Sequence, residues 1–145
     1  MAAQLPLESS FAVLKSVRSA LLADATLSGL LVGDKVVAFG SAGHPTPYIS
    51  MALHSDDWST ATEDGQQHQI DLSVWHQPAS QSPDSGLSRT IMGHVRRILH
   101  TAALTIDAPF HVVLCRIENQ IGPYIDPDGA TLHGVLSARI IVDHT

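Results

Sequence analysis

Nine histidines are the first residues in this chain that suggest chemistry, because imidazole ligates transition metals and titrates near neutral pH. Their spacing argues against a metal site. There is no His-Glu-x-x-His and no Cys/His quartet. His68 and His76 share one face of an alternating stretch but stand eight residues apart, and His94 and His100 are six apart on a helical pattern, on different sides of the helix. The adjacent carboxylates Glu63 and Asp64 could in principle hold Mg2+ or move a proton, yet they sit in a polar, Gly-containing stretch with no third group to position them. Solvated charge is the simpler reading. No Gly-x-Ser-x-Gly elbow and no Gly-rich phosphate loop occurs, and the single cysteine, Cys115, lies inside an apolar run as a buried strand residue would. The expectation is no catalytic residue, no metal and no cofactor. A histidine-based metal-dependent hydrolase stands as the alternative from a different functional class, and a monomeric acidic binding module as a third.

The charge is unevenly placed. Six acidic residues, Asp56, Asp57, Glu63, Asp64, Asp71 and Asp84, lie between Lys35 and Arg89 with no Lys or Arg among them, and they match the whole net charge of -6. With a pI near 5.7 and no basic run, the chain lacks the clustered cations that grip nucleic acid by its phosphates. One cysteine excludes an intrachain disulfide framework. No apolar run approaches the roughly 18 residues of a membrane span, and Met1–Glu8 has neither the basic start nor the apolar core of a signal peptide. These features lead us to expect a soluble protein, made in a cytoplasm and not associated with membranes.

The elements that would carry these residues follow from apolar periodicity. At 145 residues and 44% hydrophobic composition, one domain covering 1–145 is expected. Phe11, Leu14, Val17 and Leu21 recur at helical spacing between Ser9 and Asp24, with Glu8, Ser9 and Ser10 at the start, and Leu27, Leu30 and Leu31 continue into a short turn of helix before Gly33. A brief extended piece runs from Lys35 to Phe39, and Pro45 and Pro47 fall in the loop beyond it. Tyr48–His54 alternates with Ile49, Met51 and Leu53 on one face; residues 66–76 alternate with Ile70, Leu72 and Val74 inward and Gln69, Asp71, Ser73 and Trp75 outward. The two are expected to pair across an acidic loop of about nine residues, longer than the usual hairpin connection. After a polar linker, 78–84, Ser85 starts a helix whose stripe is Leu87, Ile91, Val95 and Ile98, with Arg96, Arg97 and His100 in its last turn, where positive charge suits the helix dipole.

Phe110–Ile117 reads as a buried strand, and Asp126-Pro127-Asp128-Gly129 has type I turn chemistry. The return strand, 131–142, places Leu132, Gly134, Leu136, Ala138, Ile140 and Val142 inward and His133, Val135, Ser137, Arg139 and Ile141 outward. The fold class is therefore α+β: two layers, a four-stranded and mainly antiparallel sheet with two helices on one face. Tyr48 and Trp75 point away from the core face. Exposed aromatics favour interfaces, so the outer face, Tyr48, Trp75, Val135, Arg139 and Ile141, is expected to meet another subunit, unless a helix of the same chain covers it.

An ordered set of features resembles one family: the N-terminal helix ending in Leu-rich turns, Pro47-Tyr48-Ile49 opening a strand, Thr60-x-x-Glu63-Asp64-Gly65, Val74-Trp75 late in the next strand, and Asp126-Pro127-Asp128-Gly129-x-x-x-His133-Gly134-Val135-Leu136. Together they are similar to the tail-terminator or tail-completion proteins of long-tailed phages and gene transfer agents, over nearly the whole chain. The resemblance implies a non-enzymatic virion subunit made in the bacterial cytoplasm. It implies a homo-hexameric ring at the head-tail junction that caps the tail tube and stops its polymerisation. Its partners would be the tail-tube protein and a head-side connector; a head-side stopper ring is the near alternative. DNA would pass through such a ring without specific binding. Carboxylates suit that passage because they repel phosphates, so Asp56, Asp57, Glu63 and Asp64 are expected to face the channel or the tube end.

Overall fold

The computed structural model describes residues 8–38, 43–59, 64–78 and 85–144, and of 58, 59 and 64 the backbone alone. The order is α1 (Ser10–Ala23), α2 (Ala25–Leu30), β1 (Val36–Val37), β2 (Tyr48–Ser59), β3 (Asp64–His76), α3 (Gly86–Leu99), β4 (Phe110–Ile125) and β5 (Leu132–His144). The strands form one sheet in the order β1-β2-β3-β5-β4, antiparallel throughout except that β1 runs parallel to β2. The α+β class holds. The sheet has five strands because Val36 and Val37 pair with Ile49 and Ser50 at its edge, and a third, short helix follows α1.

Helix α1 buries Val13, Ser16, Val17 and Leu21, a row set by four-residue spacing. Phe11, expected on that stripe, is 75% exposed instead. It lies two residues, about 200° of helical turn, from Val13, so it points away once Val13 faces the sheet. Ser16 takes an inward place because its hydroxyl donates to the Thr105 carbonyl at 2.6 Å. Asp24 ends α1 and caps α2, its carboxylate accepting from the Leu27 N–H at 3.0 Å. That bond, first, and then the Arg97 guanidinium at 2.8 Å hold its pKa below the ordinary carboxylate value.

In α3 the buried residues are Ser88, Ile91, Met92, Val95 and Leu99, with Leu87 and Ile98 half-buried at the margins. Ser85 occupies the N-cap position, but its hydroxyl accepts from Arg89 Nε at 3.0 Å instead of capping a backbone N–H. Helix α3 packs on β3, β4 and β5, and α1 on β1 and β2, so both long helices cover one face. Gly134 lies beneath α3, where a β-carbon would run into the Met92 side chain. Glycine is what allows the helix so close to β5.

On the inner face Ile49, Ile70, Leu72, Val74, Leu136 and Ile140 are fully buried. His68 joins them at 0% exposure. Its Nδ1 lies 2.7 Å from Ser55 Oγ and its Nε2 2.7 Å from Ser9 Oγ, while the Ser9 hydroxyl donates to Gln66 Oε1 at 2.7 Å. With the Ser9 proton committed to Gln66, Ser9 accepts from His68 Nε2 and Ser55 donates to Nδ1, which is a neutral imidazole. Burial pushes the His68 pKa below its ordinary value, and the nearby Glu8 charge opposes this only in part.

Candidate functional site

The two hairpins point in opposite directions. Pairing runs from Tyr48–Trp75 to Ser59–Asp64 in the first, and from Phe110–His144 to Ile125–Leu132 in the second. Because Gly65 faces Asp143 and His76 faces Leu132, the tip of β2-β3 and the tip of β4-β5 lie at opposite ends of the sheet. The acidic loop is shorter than its composition suggests. Asp56 and Asp57 belong to β2, exposed and paired with Gln67 and Gln66, and Asp64 begins β3. Polar, β-compatible residues prolong the ladder past the point where the apolar alternation stops. Glu63 lies outside the described residues.

The second hairpin is likewise longer than its apolar run, with β4 continuing to Ile125 through three register shifts. Its turn is held by Asp128, whose carboxylate accepts from the Thr131 hydroxyl and from the Ala130 and Thr131 N–H groups, lowering its pKa in that order of cause. Gly129, at φ +72°, supplies the left-handed residue and donates to the Asp126 carbonyl at 2.9 Å.

No helix among the described residues lies over the outer face of the sheet. Its residues divide it in two. At the end nearest the β4-β5 turn, Trp75 stacks on His133 with ring centroids 3.7 Å apart and planes 12° apart, and the Tyr124 hydroxyl lies 2.9 Å from His133 Nδ1. Trp75 Nε1 donates to Ser50 Oγ at 2.9 Å. Burial lowers the His133 pKa, against Asp126 Oδ1 at 3.6 Å, which acts to raise it, and His133 Nε2 has no hydrogen-bond partner among the described residues. Around this pile Ile121 and Tyr124 remain exposed.

The middle of the face is polar. Arg139 donates from Nε and Nη2 to Gln67 Oε1 at 3.1 and 2.8 Å, with Glu118 Oε1 3.6 Å from its Nη1, and the Asp71 carboxylate accepts from Ser137 Oγ at 2.7 Å. Gln67, Gln69, Glu118, Asn119, Ser137 and Arg139 line a shallow depression of about 430 Å³. Of the residues expected to form an interface, Trp75, Val135 and Arg139 reach this surface half-exposed. Ile141 is buried, and so is Tyr48, whose ring lies 4.2 Å from that of His44. His133 and Tyr124 were not legible as partners of Trp75, since their meeting depends on the Trp75–His133 and Tyr124–His133 register.

Two further polar side chains make structural bonds. His100 Nδ1 accepts from the Ile117 N–H at 3.2 Å, and Cys115 Sγ donates to the Leu99 carbonyl at 3.2 Å, its thiol pushed up to about 11 by burial. A thiol so raised is a poor nucleophile at neutral pH. Among the described residues no three His, Cys, Asp or Glu side chains are grouped to hold a metal ion, and no helix is long and apolar enough to cross a membrane.

This architecture, a one-sided sheet with two opposed hairpins, is matched by known proteins. Residues 15–143 match the family described as Tail completion protein gp17. The chain belongs to that family. It is a structural tail protein, a component of a tailed virion. A chain from the solved structure "Virion of native gene transfer agent (GTA) particle" has the same fold, with a TM-score of 0.78 at 21% identity, covering 95% of this chain and 99% of that one. No curated protein sequence matches significantly. The fold and family expected from the ordered motifs agree with both findings, and tail completion implies assembly with other tail or head proteins.

Proposed function

We propose that this tail completion protein is a tail terminator: a homo-hexameric ring that caps the tail tube, ends its polymerisation and joins the tail to the head-side connector, with no catalytic role. The observation that carries the reading is the outer sheet face, which no helix among the described residues covers, while helices pack on the opposite face. Trp75, Val135 and Arg139, backed by Tyr48 and Ile141, form the subunit contact. A face bearing a stacked Trp-His pair and a hydrogen-bonded Arg is suited to association, because these side chains are already held in place before docking. Asp56 and Asp57, with Glu63 and Asp64 at the hairpin end, face the channel or the tube end and repel the phosphates of passing DNA. No specific DNA contact is involved.

Particles assembled without this protein test the reading. Overlong tubes, or tubes detached from filled heads, are the expected result. Tubes of normal length joined to filled heads would overturn it.

A further inference from the structure

The two layers carry opposite charge. The helices hold five basic residues, Lys15, Arg18, Arg89, Arg96 and Arg97, and no acidic one, whereas the strands hold six acidic residues against Arg116 and Arg139. Within the chain, Lys15 is paired with Asp107, Arg97 with Asp24, and Arg18 donates to the Val36 carbonyl. Arg89 and Arg96 have no acidic partner among the described residues, and both lie on the exposed side of α3. Gly93 stands between them, exposed, with open space where a β-carbon would go. Nothing among the described residues calls for a glycine there, and glycine weakens a helix.

We infer that the exposed side of α3, with Arg89, Gly93 and Arg96, docks onto the outer sheet face of a second copy of this chain, over the polar depression beside Asp71 and Glu118. The inference rests on the reading that this face meets a neighbouring subunit, and it names what the neighbour presents. Spacing supports the pairing. Arg89 and Arg96 are seven residues apart, about 10.5 Å along a helix at 1.5 Å per residue. Asp71 is aligned across β5 Ser137 with Asn119 on β4, next to Glu118 at a register shift, so the backbone positions of the two acidic residues stand roughly two strand spacings apart, about 9.6 Å. A helix crossing the strands brings each guanidinium to one carboxylate, and Gly93 lets its backbone approach the depression. Helix layer onto sheet layer is a head-to-tail contact, the kind that closes into a ring when the rotation between copies permits.

Complementary charge reversals test this. Arg89→Glu with Arg96→Glu makes both sides of the contact acidic; Asp71→Lys with Glu118→Lys makes both basic. Each double variant alone is expected to need about tenfold or more protein to assemble, by sedimentation, with an unchanged circular dichroism spectrum. Mixed in equal amounts, the two should assemble together as alternating copies. Gly93→Leu, which the protomer has room for, should weaken assembly and leave the thermal midpoint unchanged or higher. Normal assembly by either double variant alone, or a mixture that fails although both partners are folded, overturns the inference and leaves the ring reading standing. A native protein that forms no ring at any concentration, even with tube ends present, overturns both.

Discussion

Inward along β3 and β5 lie Ile70, Leu72, Val74, Leu136 and Ile140, all fully buried under the helices; one residue over on the same strands lie Gln69, Asp71, Ser73, Val135 and Arg139, with no helix among the described residues above them. The inner face is closed by apolar area and a few buried polar groups: at His68 every donor has a designated acceptor, Ser16 donates to the Thr105 carbonyl, and Ser88 Oγ has no partner among the described residues. The outer face is held by hydrogen bonds between side chains and by one aromatic stack. Folding consumes the first face. The second is ordered without being covered by a helix among the described residues, which is why it carries the proposed subunit contact.

The largest effect that sharpens this contrast comes from neighbours on β5. Leu136→Ala should lower protomer stability by about 2–5 kcal/mol in denaturant titrations, through lost burial and a residual cavity. Val135→Ala, one residue away on the outer face, should cost about 1 kcal/mol or less and act on assembly instead. Equal losses of stability at the two positions would abolish the distinction between the faces. A smaller split is expected for Trp75→Ala. Removing its stack on His133 should cost the protomer about 1–2 kcal/mol, while light scattering shows a larger loss of ring formation. A normal hexamer from this variant would remove Trp75 from the contact.

The smallest effect concerns pH and involves one histidine on each face. His68 and His133 both have folded-state pKa values below the ordinary 6.5, each chiefly because burial disfavours the charged ring. The unfolded chain therefore binds more protons as pH falls, so their stabilising contribution is fully present above about pH 6.5 and is lost as pH drops below it. Thermal midpoints should decline from pH 7 toward pH 5, and His68→Gln should flatten that decline. An unaltered slope in the variant would mean that folding does not lower the His68 pKa.

The hairpin tips extend the comparison. The tip of β4-β5 is pinned by Asp128 and Gly129 and is flanked by exposed Ile121, Tyr124 and Ile125. The stem of the opposite hairpin carries Asp56 and Asp57 on exposed strand positions. The β4-β5 end thus combines exposed apolar side chains with the carboxylates of Asp126 and Asp128.

Much of this was written in local patterns. Period-two alternation located β2, β3 and β5 and assigned their faces correctly, because a one-residue slip would have turned every buried aliphatic outward. Turn chemistry at 126–129 was equally readable, since it acts within a few residues of itself; the cap that Asp24 places on α2 was not read from the sequence. The outward turn of Phe11, the extension of β2 and β4 beyond their apolar runs, the burial of Tyr48 and His68, and the meeting of Trp75 with His133 and Tyr124 were not. Each of these depends on strand register or on which side of a helix meets the sheet. Such quantities are set by which residues pack together, from hairpin partners to pairs such as Ser9 and His68 or Trp75 and His133 far apart in the chain, and only the tertiary structure fixes them.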